Sequence, residues 1–423
     1  MTNNWLIECD MLRTRKAGSS EAIMSSKRTT TIGSSLLCGV AGAALLLCVA
    51  LPASAQTWTT IFAFNGLNGR GPVAGLTKDA GNFYGTTYGG GPGGVPSYGT
   101  VFKLTHKDAG WVLTTLYRFD AYDGDGPASR VMIGPDGALY GTTSFGANGY
   151  GTVYRLQALA SCRSGNCPWR ETILYAFQNG SDGRDPGGDL MIDQQGNIYG
   201  TAGGGAGGGS CNGTCGVVYK LTRSGQSWSY SVIYAFQGDD DGDGPGGGVV
   251  QDASGNLYGP TAGGGRYRFG TVFKLTPSGG GWTESIIYNF ANNGDGANPV
   301  GGLILDNAGI LYGATPFGGQ YGAGTVYSVS LGGFSVLASL PYMSGNGSFS
   351  KLTFDDEGNL YGTVWLGYVF KLTPSNGNWT FTQLGGGDIG MSSSVVVDSN
   401  DVVYGTDPGG PSYIYGSVFE ITQ

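Results

Sequence analysis

The densest run of possible ligand atoms in the chain is Asp239-Asp240-Asp241-Gly242-Asp243-Gly244, which reads D-x-D-x-D-G. Carboxylates at alternate positions of a tight turn can converge on a hard cation, so Asp239, Asp241 and Asp243 are candidate Ca2+ ligands. The acid that closes a calcium loop is missing, because Val250 stands at its twelfth position. Asp120, Asp123 and Asp125 form a partial echo of the pattern, and Asp182 and Asp185 a poorer one. The competing reading is that Asp-Gly pairs simply make turns, in which case no cofactor is bound. His106 is the only histidine. Number alone rules out a multi-histidine metal site, and a catalytic triad is excluded with it because His106 itself is expected in a solvated turn. Gly-x-Gly-x-x-Gly-like strings follow from the 82 glycines and precede no helix that could hold a phosphate.

Of seven cysteines, Cys162, Cys167, Cys211 and Cys215 lie beyond an N-terminal sorting segment. Lys27 and Arg28 precede an apolar run to Leu51, and Ala53-Ser54-Ala55 offers a peptidase its small residues. Residues 1–55 thus read as an extension plus a secretory signal cleaved after Ala55, with Met24 a more natural start than Met1. An even cysteine count in an exported chain implies local disulfides, Cys162–Cys167 and Cys211–Cys215; a four-thiolate zinc site lacks the C-x2-C spacing. The expected location is secreted or periplasmic, with no stable membrane insertion after cleavage. The first 55 residues remove five basic and three acidic residues from 22 and 30, leaving 17 against 27, a net charge of −10. That balance disfavours nucleic acid and anionic lipid as partners.

The elements that must hold these residues announce themselves by repetition. Tyr-Gly recurs at Tyr84, Tyr140, Tyr199, Tyr258, Tyr312, Tyr361 and Tyr404. Each is followed by a phrase of the type Gly-Thr-Val-Phe-Lys-Leu-Thr, beginning at Gly99, Gly151, Gly216, Gly270, Gly324, Gly367 and Gly416. One supersecondary unit is used seven times. In residues 245–290 it reads as a short strand to Asp252, an Asp-x-x-Gly turn, a strand from Leu257, and a Gly-rich loop. A strand over 270–276, a turn at Pro277–Gly281 and a strand over 282–290 complete it. Four antiparallel strands in seven copies predict a seven-bladed β-propeller over residues 56–423. The chain ends on a third-strand phrase and, after cleavage, begins on a fourth-strand phrase, Trp58–Phe64. The N-terminal strand should therefore complete the last blade. Alternating strand direction puts the Gly-rich and Asp-Gly loops on one face, where binding is to be sought.

Asn82-Phe83-Tyr84-Gly85-Thr86-Thr87 and Gly99-Thr100-Val101-Phe102-Lys103-Leu104 resemble the GloVer tandem-repeat family of exported bacterial proteins, over nearly all of residues 58–423. Kelch-type and NHL-type propellers resemble it more loosely. The family resemblance implies the fold and export but no activity. Its members often carry a C-terminal surface anchor, and the end at Gln423 without such a tail implies a soluble exported protein.

Aligning the repeats on Asp-x-x-Gly brings Gly75, Arg130, Asp189, Gly248, Gly302, Lys351 and Ser394 to one position, where the innermost strand enters beside the central channel. Arg130, Asp189 and Lys351 replace small residues there and are candidates to bind a polar ligand; the plainer reading is an Arg130–Asp189 ion pair with Lys351 solvated. Tyr88, Phe145, Tyr267 and Phe317 stand in the long loops, where rings can stack on sugars or fold back under the glycines. The favoured reading is an exported, monomeric, non-catalytic binding or surface-interaction protein, with a polysaccharide or cell-surface component as partner. A polysaccharide-active hydrolase or lyase using Asp125, Asp185, Asp189 and Asp243 is one alternative. A structural envelope or adhesion component is another.

Overall fold

A computed structural model describes residues 56–91, 98–159, 169–205, 211, 215–341, 348, 350–365, 367–386, 393–409 and 413–423. Blade one holds β2 (Thr77–Asp79), β3 (Asn82–Thr87), β4 (Thr100–Lys107) and β5 (Gly110–Arg118), after the lone N-terminal strand β1 (Thr57–Ala63). Blade two holds β6 (Met132–Ile133), β7 (Leu139–Thr143), β8 (Thr152–Ala158) and β9 (Trp169–Ala176). Blade three holds β10 (Arg184–Ile192), β11 (Ile198–Gly204), β12 (Val217–Ser224) and β13 (Ser227–Ala235). Blade four holds β14 (Val250–Gln251), β15 (Leu257–Thr261), β16 (Thr271–Ser278) and β17 (Gly281–Asn289). Blade five holds β18 (Ile304–Leu305), β19 (Leu311–Thr315), β20 (Thr325–Ser330) and β21 (Gly333–Ser339). Blade six holds β22 (Thr353–Phe354), β23 (Leu360–Thr363), β24 (Tyr368–Ser375) and β25 (Asn378–Gly386). Blade seven holds β26 (Val396–Val397), β27 (Val403–Asp407) and β28 (Ser417–Thr422).

Each blade is a four-stranded antiparallel meander, and the seventh takes its outer strand from the other end of the chain, in the order β1-β28-β27-β26. Trp58 pairs with Ile421 and Ala63 with Ser417, as the phase of the repeat requires. The core lies between the blades. Seven buried clusters each join two neighbours, and the last packs Phe64, Tyr404 and Val418 of blade seven against Leu76, Phe83, Phe102 and Leu104 of blade one. The ring is thereby closed through its apolar contacts as well as its backbone pairing.

The Tyr-Gly dipeptide has a separate task for each residue. The glycine lies opposite the aromatic residue of the third strand: Gly85 pairs with Phe102, Gly259 with Phe273 and Gly313 with Tyr327. The third-strand ring lies across the bare glycine backbone, and a Cβ on Gly259 would stand 2.6 Å from Phe273 Cζ. The tyrosine hydroxyl reaches back to the Asp-x-x-Gly turn, donating to Asp136 at 3.0 Å, to Asp252 at 2.8 Å and to Asp355 at 3.0 Å. Those carboxylates also accept backbone N–H groups of their own turn, as Asp252 does from Ser254 and Asn256. In six of the blades the glycine before the third strand adopts positive φ, 92° at Gly270, which lies against the proline that opens the next blade, Pro299.

Two boundaries differ from the sequence reading. The turn expected at Pro277–Gly281 is shorter, because β16 continues through Pro277, which pairs with Trp282. The pairing of β15 with β16 ends at Leu275, so the N–H that proline lacks breaks no ladder on that side. His106 lies within β4 rather than in a turn; it is exposed, with its ring edge-on to Trp111, its cross-strand partner.

Tyr154, Tyr219 and Tyr327 are fully buried and their hydroxyls have no hydrogen-bond partner, at the position where other blades carry phenylalanine. A buried unpaired hydroxyl costs about 1–3 kcal/mol. Tyr327→Phe is therefore expected to melt at or above the native temperature. Gly259→Ala, which forces a methyl into the Phe273 ring, should lose about 1–3 kcal/mol. Chemical denaturation of both variants checks the pair.

Candidate functional site

The innermost strands are short, and the residues just before them surround the axis. A cavity of about 170 Å³ lies there, drawing lining residues from all seven blades, among them Gly75, Arg130, Asp189, Gly302, Lys351 and Ser394. Six of the seven aligned positions thus meet at one place. In blade four, Gly246 and Gly247 line the cavity in place of Gly248. Strand direction puts the cavity at the end of the channel that carries the Gly-rich and Asp-Gly loops.

The three charged residues converge. Arg130 Nη2 is 2.8 Å from Asp189 Oδ2, and Lys351 Nζ is 3.9 Å from the same oxygen. Their side chains keep 22%, 16% and 21% of their surface for Arg130, Asp189 and Lys351 respectively, so the group is shielded but not sealed. Burial alone would raise the Asp189 carboxyl, but attraction to Arg130 and Lys351 outweighs it and holds the group below the usual carboxylate range. Burial pulls the Lys351 ammonium down, and only partly does Asp189 offset that. Arg130 Nε is buried without a hydrogen-bond partner.

Local structure explains how each is held. Blade three departs from the repeat: β10 runs for nine residues where β14 has two, with its register shifting between Gly187 and Met191. Asp189 forms a parallel bridge with Gly248 of blade four. Gly188 permits this approach through a φ of 69°, with Gly248 pressed against it. Beside Arg130, Ser129 accepts the Thr142 N–H at 2.9 Å on its hydroxyl and the Thr86 hydroxyl of blade one at 3.3 Å on its carbonyl. Beside Lys351, Ser350 accepts from the Thr363 hydroxyl at 3.1 Å. A Cβ on Gly302 would come 3.2 Å from Lys351 Cδ, so the bare glycine leaves room for the lysine stem. Lys351 belongs to blade six and Asp189 to blade three, so the lysine reaches across the axis.

The acidic loops are braced by hydrogen bonds of their own. Asp241 accepts the Tyr234 hydroxyl at 2.9 Å and the N–H groups of Gln237 and Gly238. Asp182 and Asp295 do the same with Tyr175 at 3.0 Å and Tyr288 at 2.9 Å, and Asp123 accepts from Tyr117. Each carboxylate closes its own loop onto the end of the fourth strand. Among the described residues, the one grouping of three potential metal-ligating side chains is Cys211, Cys215 and Asp243. Cys211 and Cys215 are joined in a disulfide, so their sulfurs are committed to each other. Asp239, Asp241 and Asp243 are not gathered around a common point. Cys162 and Cys167 lie outside the described residues. Tyr88, Phe145, Tyr267 and Phe317 are 42%, 43%, 47% and 38% exposed on the same face, but none lines the axial cavity. Phe145 and Phe317 are tied by backbone pairing to Asp125 and Ala297. Burial raises the carboxyls of Asp125, Asp185 and Asp243 above the usual range. Among the described residues Asp189 is the one carboxylate lining the cavity.

Sequence reasoning passed over Glu171 and Glu284. They pair with Leu156 and Leu275, at the fourth-strand position occupied elsewhere by Leu113, Tyr230, Phe334 and Phe381. In each glutamate Oε1 is buried without a partner. Burial, then repulsion from Asp123 and Asp120, pushes Glu171 up to about 8; burial, then Asp241, pushes Glu284 up to about 7. The signal available was an acid on the apolar phase of an alternating strand.

These features define a seven-bladed β-propeller with a charged axial cavity on its loop-rich face. The Gloeobacter/Verrucomicrobia repeat model matches residues 47–215 and 164–367, and the chain belongs to that repeat family. No curated protein matches it. Among solved structures it is similar to the extracellular domain of a protein described as a hybrid two-component system from B. thetaiotaomicron. The TM-score is 0.51 at 13% identity, over 86% of this chain and 43% of that one. It is also similar to the periplasmic gluconolactonase of Pseudomonas aeruginosa, with a TM-score of 0.51 at 14% identity, over 79% of this chain and 93% of that one. The chain thus spans less than half the length of the first of these. At such identities both likenesses concern the fold.

A raised carboxyl means that the folded protein keeps a proton the unfolded chain releases. For Glu284 the resulting stability is full below about 4.5 and lost as pH rises through about 7. Glu284→Gln should therefore melt higher than the native protein at pH 8 and close to it at pH 4.5. Thermal melts at the two pH values check this.

Proposed function

We propose that this protein is an exported, non-catalytic binding propeller that takes a polar ligand, with carbohydrate the favoured class, in the axial cavity. The observation that carries the reading is the convergence of Arg130, Asp189 and Lys351 from three blades in a ring otherwise made of Gly, Ala, Val and Ser. Six alignment-equivalent positions sharing one cavity make the charges a local departure from the repeat rather than a feature of it. Exposed rings on the same face give a glycan further surface on which to stack. The Cys211–Cys215 disulfide supports export to an oxidising compartment, as does the signal-like segment ending at Ala55.

Against catalysis stands the chemistry of the cavity. Hydrolysis by paired carboxylates needs an acid and a base or nucleophile. Asp189 is paired with two cations and held ionised, so it is poorly suited to donate a proton. The raised carboxyls of Asp125 and Asp243 favour the enzyme as the second reading, with the reaction placed on the surrounding loops.

A glycan-array screen of the purified protein, with product analysis of every hit, tests the assignment. The expected result is retention of glycans without release of fragments. Released sugars would move the protein to the enzyme reading, and an empty array would leave the envelope or adhesion role.

A further inference from the structure

The cavity also carries a preference of charge, and the step from polar ligand to ligand class rests on the binding role proposed above. Among the described residues its lining holds two cationic side chains and one anionic one, with no other charged residue. Asp189 offsets one of the two charges, so the described lining keeps a net positive charge inside a protein whose formal charge is −8. The cations are only partly satisfied by what surrounds them, since Arg130 Nη2 reaches Asp189 Oδ2 at 2.8 Å but Arg130 Nε and Lys351 Nζ do not. Lys351 Nζ stands 3.9 Å from Asp189 Oδ2, beyond hydrogen-bond reach, and Arg130 Nε has no partner. Desolvating an ammonium without an acceptor is costly, and an incoming anion would supply one. The volume of about 170 Å³ is smaller than the roughly 300–1,000 Å³ of pockets for drug-sized molecules, so it suits one sugar-sized unit and not a threaded chain.

We infer that the axial cavity recognises a carboxylate on a single sugar unit, seated between Arg130 and Lys351, with Asp189 as the positioning residue that holds the two cations on either side of the axis. The same chemistry is offered by a free sugar acid and by the acidic end unit of a glycan.

Titration calorimetry of the full protein separates these. The probes are sodium D-glucuronate, its methyl ester, D-glucose, and an oligosaccharide ending in glucuronate. Glucuronate is expected to bind at least about tenfold more tightly than the ester or glucose, since a charged hydrogen-bond pair is lost in both. Its affinity should fall with added salt. Lys351→Met should cost about tenfold or more in glucuronate affinity while leaving the methyl ester within about threefold, and Lys351→Arg should restore glucuronate binding; a purely structural ion pair would weaken both ligands alike. If Lys351→Met unfolds, Arg130→Lys provides the second reading, again with weaker glucuronate binding expected. Tighter binding of the oligosaccharide points to a glycan end, and tighter binding of glucuronate to a free acid. Equal affinity for glucuronate and its ester, or unaltered affinity in folded Lys351→Met and Arg130→Lys, overturns the inference. Neutral glycans that bind regardless of residue 351 would overturn it and leave the binding role standing; no sugar binding at all removes both.

Discussion

The fold depends on a place where a side chain is missing. In every blade the third strand lays an aromatic ring across the glycine of Tyr-Gly, and that ring fills the space between one sheet and the next. A Cβ there would stand 2.4–2.6 Å from the ring, so ring or strand would have to shift. The tyrosine beside it binds the inner hairpin turn, so a single dipeptide fixes both the packing of the sheet and the geometry of its first turn. Because each core cluster is shared between two blades, no blade has a complete interior of its own. Stability is then a property of the ring, as expected for repeated units that bury their faces on one another.

Such regularity leaves few positions free to carry chemistry. The residues around the axis are small because seven backbones crowd there, and most of the lining is Gly, Ala, Val or Ser. Specific recognition has to come from exceptions to the repeat. Blade three supplies one by lengthening its inner strand and presenting Asp189 on a bridge to blade four. Blades two and six supply the others, with Ser129 and Ser350 pinning the backbone next to Arg130 and Lys351. The hydrogen bonds that hold the site come from the threonines following Tyr-Gly, so the repeat motif supports the residues that depart from it.

Much of this was legible in the sequence because the repeat is phased. The spacing of Tyr-Gly and Gly-Thr-Val-Phe gave the blade count, and the fragmentary units at the two ends gave the pairing of β1 with β28. The alignment that exposed Arg130, Asp189 and Lys351 worked because strand entry recurs at one register. What stayed hidden depends on contacts across the repeat. The aspartates of the acidic loops look like ligand donors in a one-dimensional reading, which does not show that Asp182 and Asp241 also accept from tyrosines seven residues earlier, Tyr175 and Tyr234. That spacing is visible in retrospect as a tyrosine, a bend and an aspartate. The burial of Glu171 and Glu284 could have been read from strand alternation, but the charge itself argued for exposure. Pro277 suggested a turn because proline usually ends strands, and only the early end of the neighbouring pairing makes it tolerable.

The seam in blade seven has a temporal consequence. Its outer strand is made before the other six blades and its other three after them, so the seventh sheet cannot assemble until β28 has been made. Until then β28's future neighbour waits unpaired, and the apolar sides of Leu76 and Phe83 in blade one lack their cover. Exposed edges and faces of this kind invite association with other chains. The same late joint makes completion an all-or-nothing event: a chain truncated in its last few residues would forfeit the lock that holds its beginning.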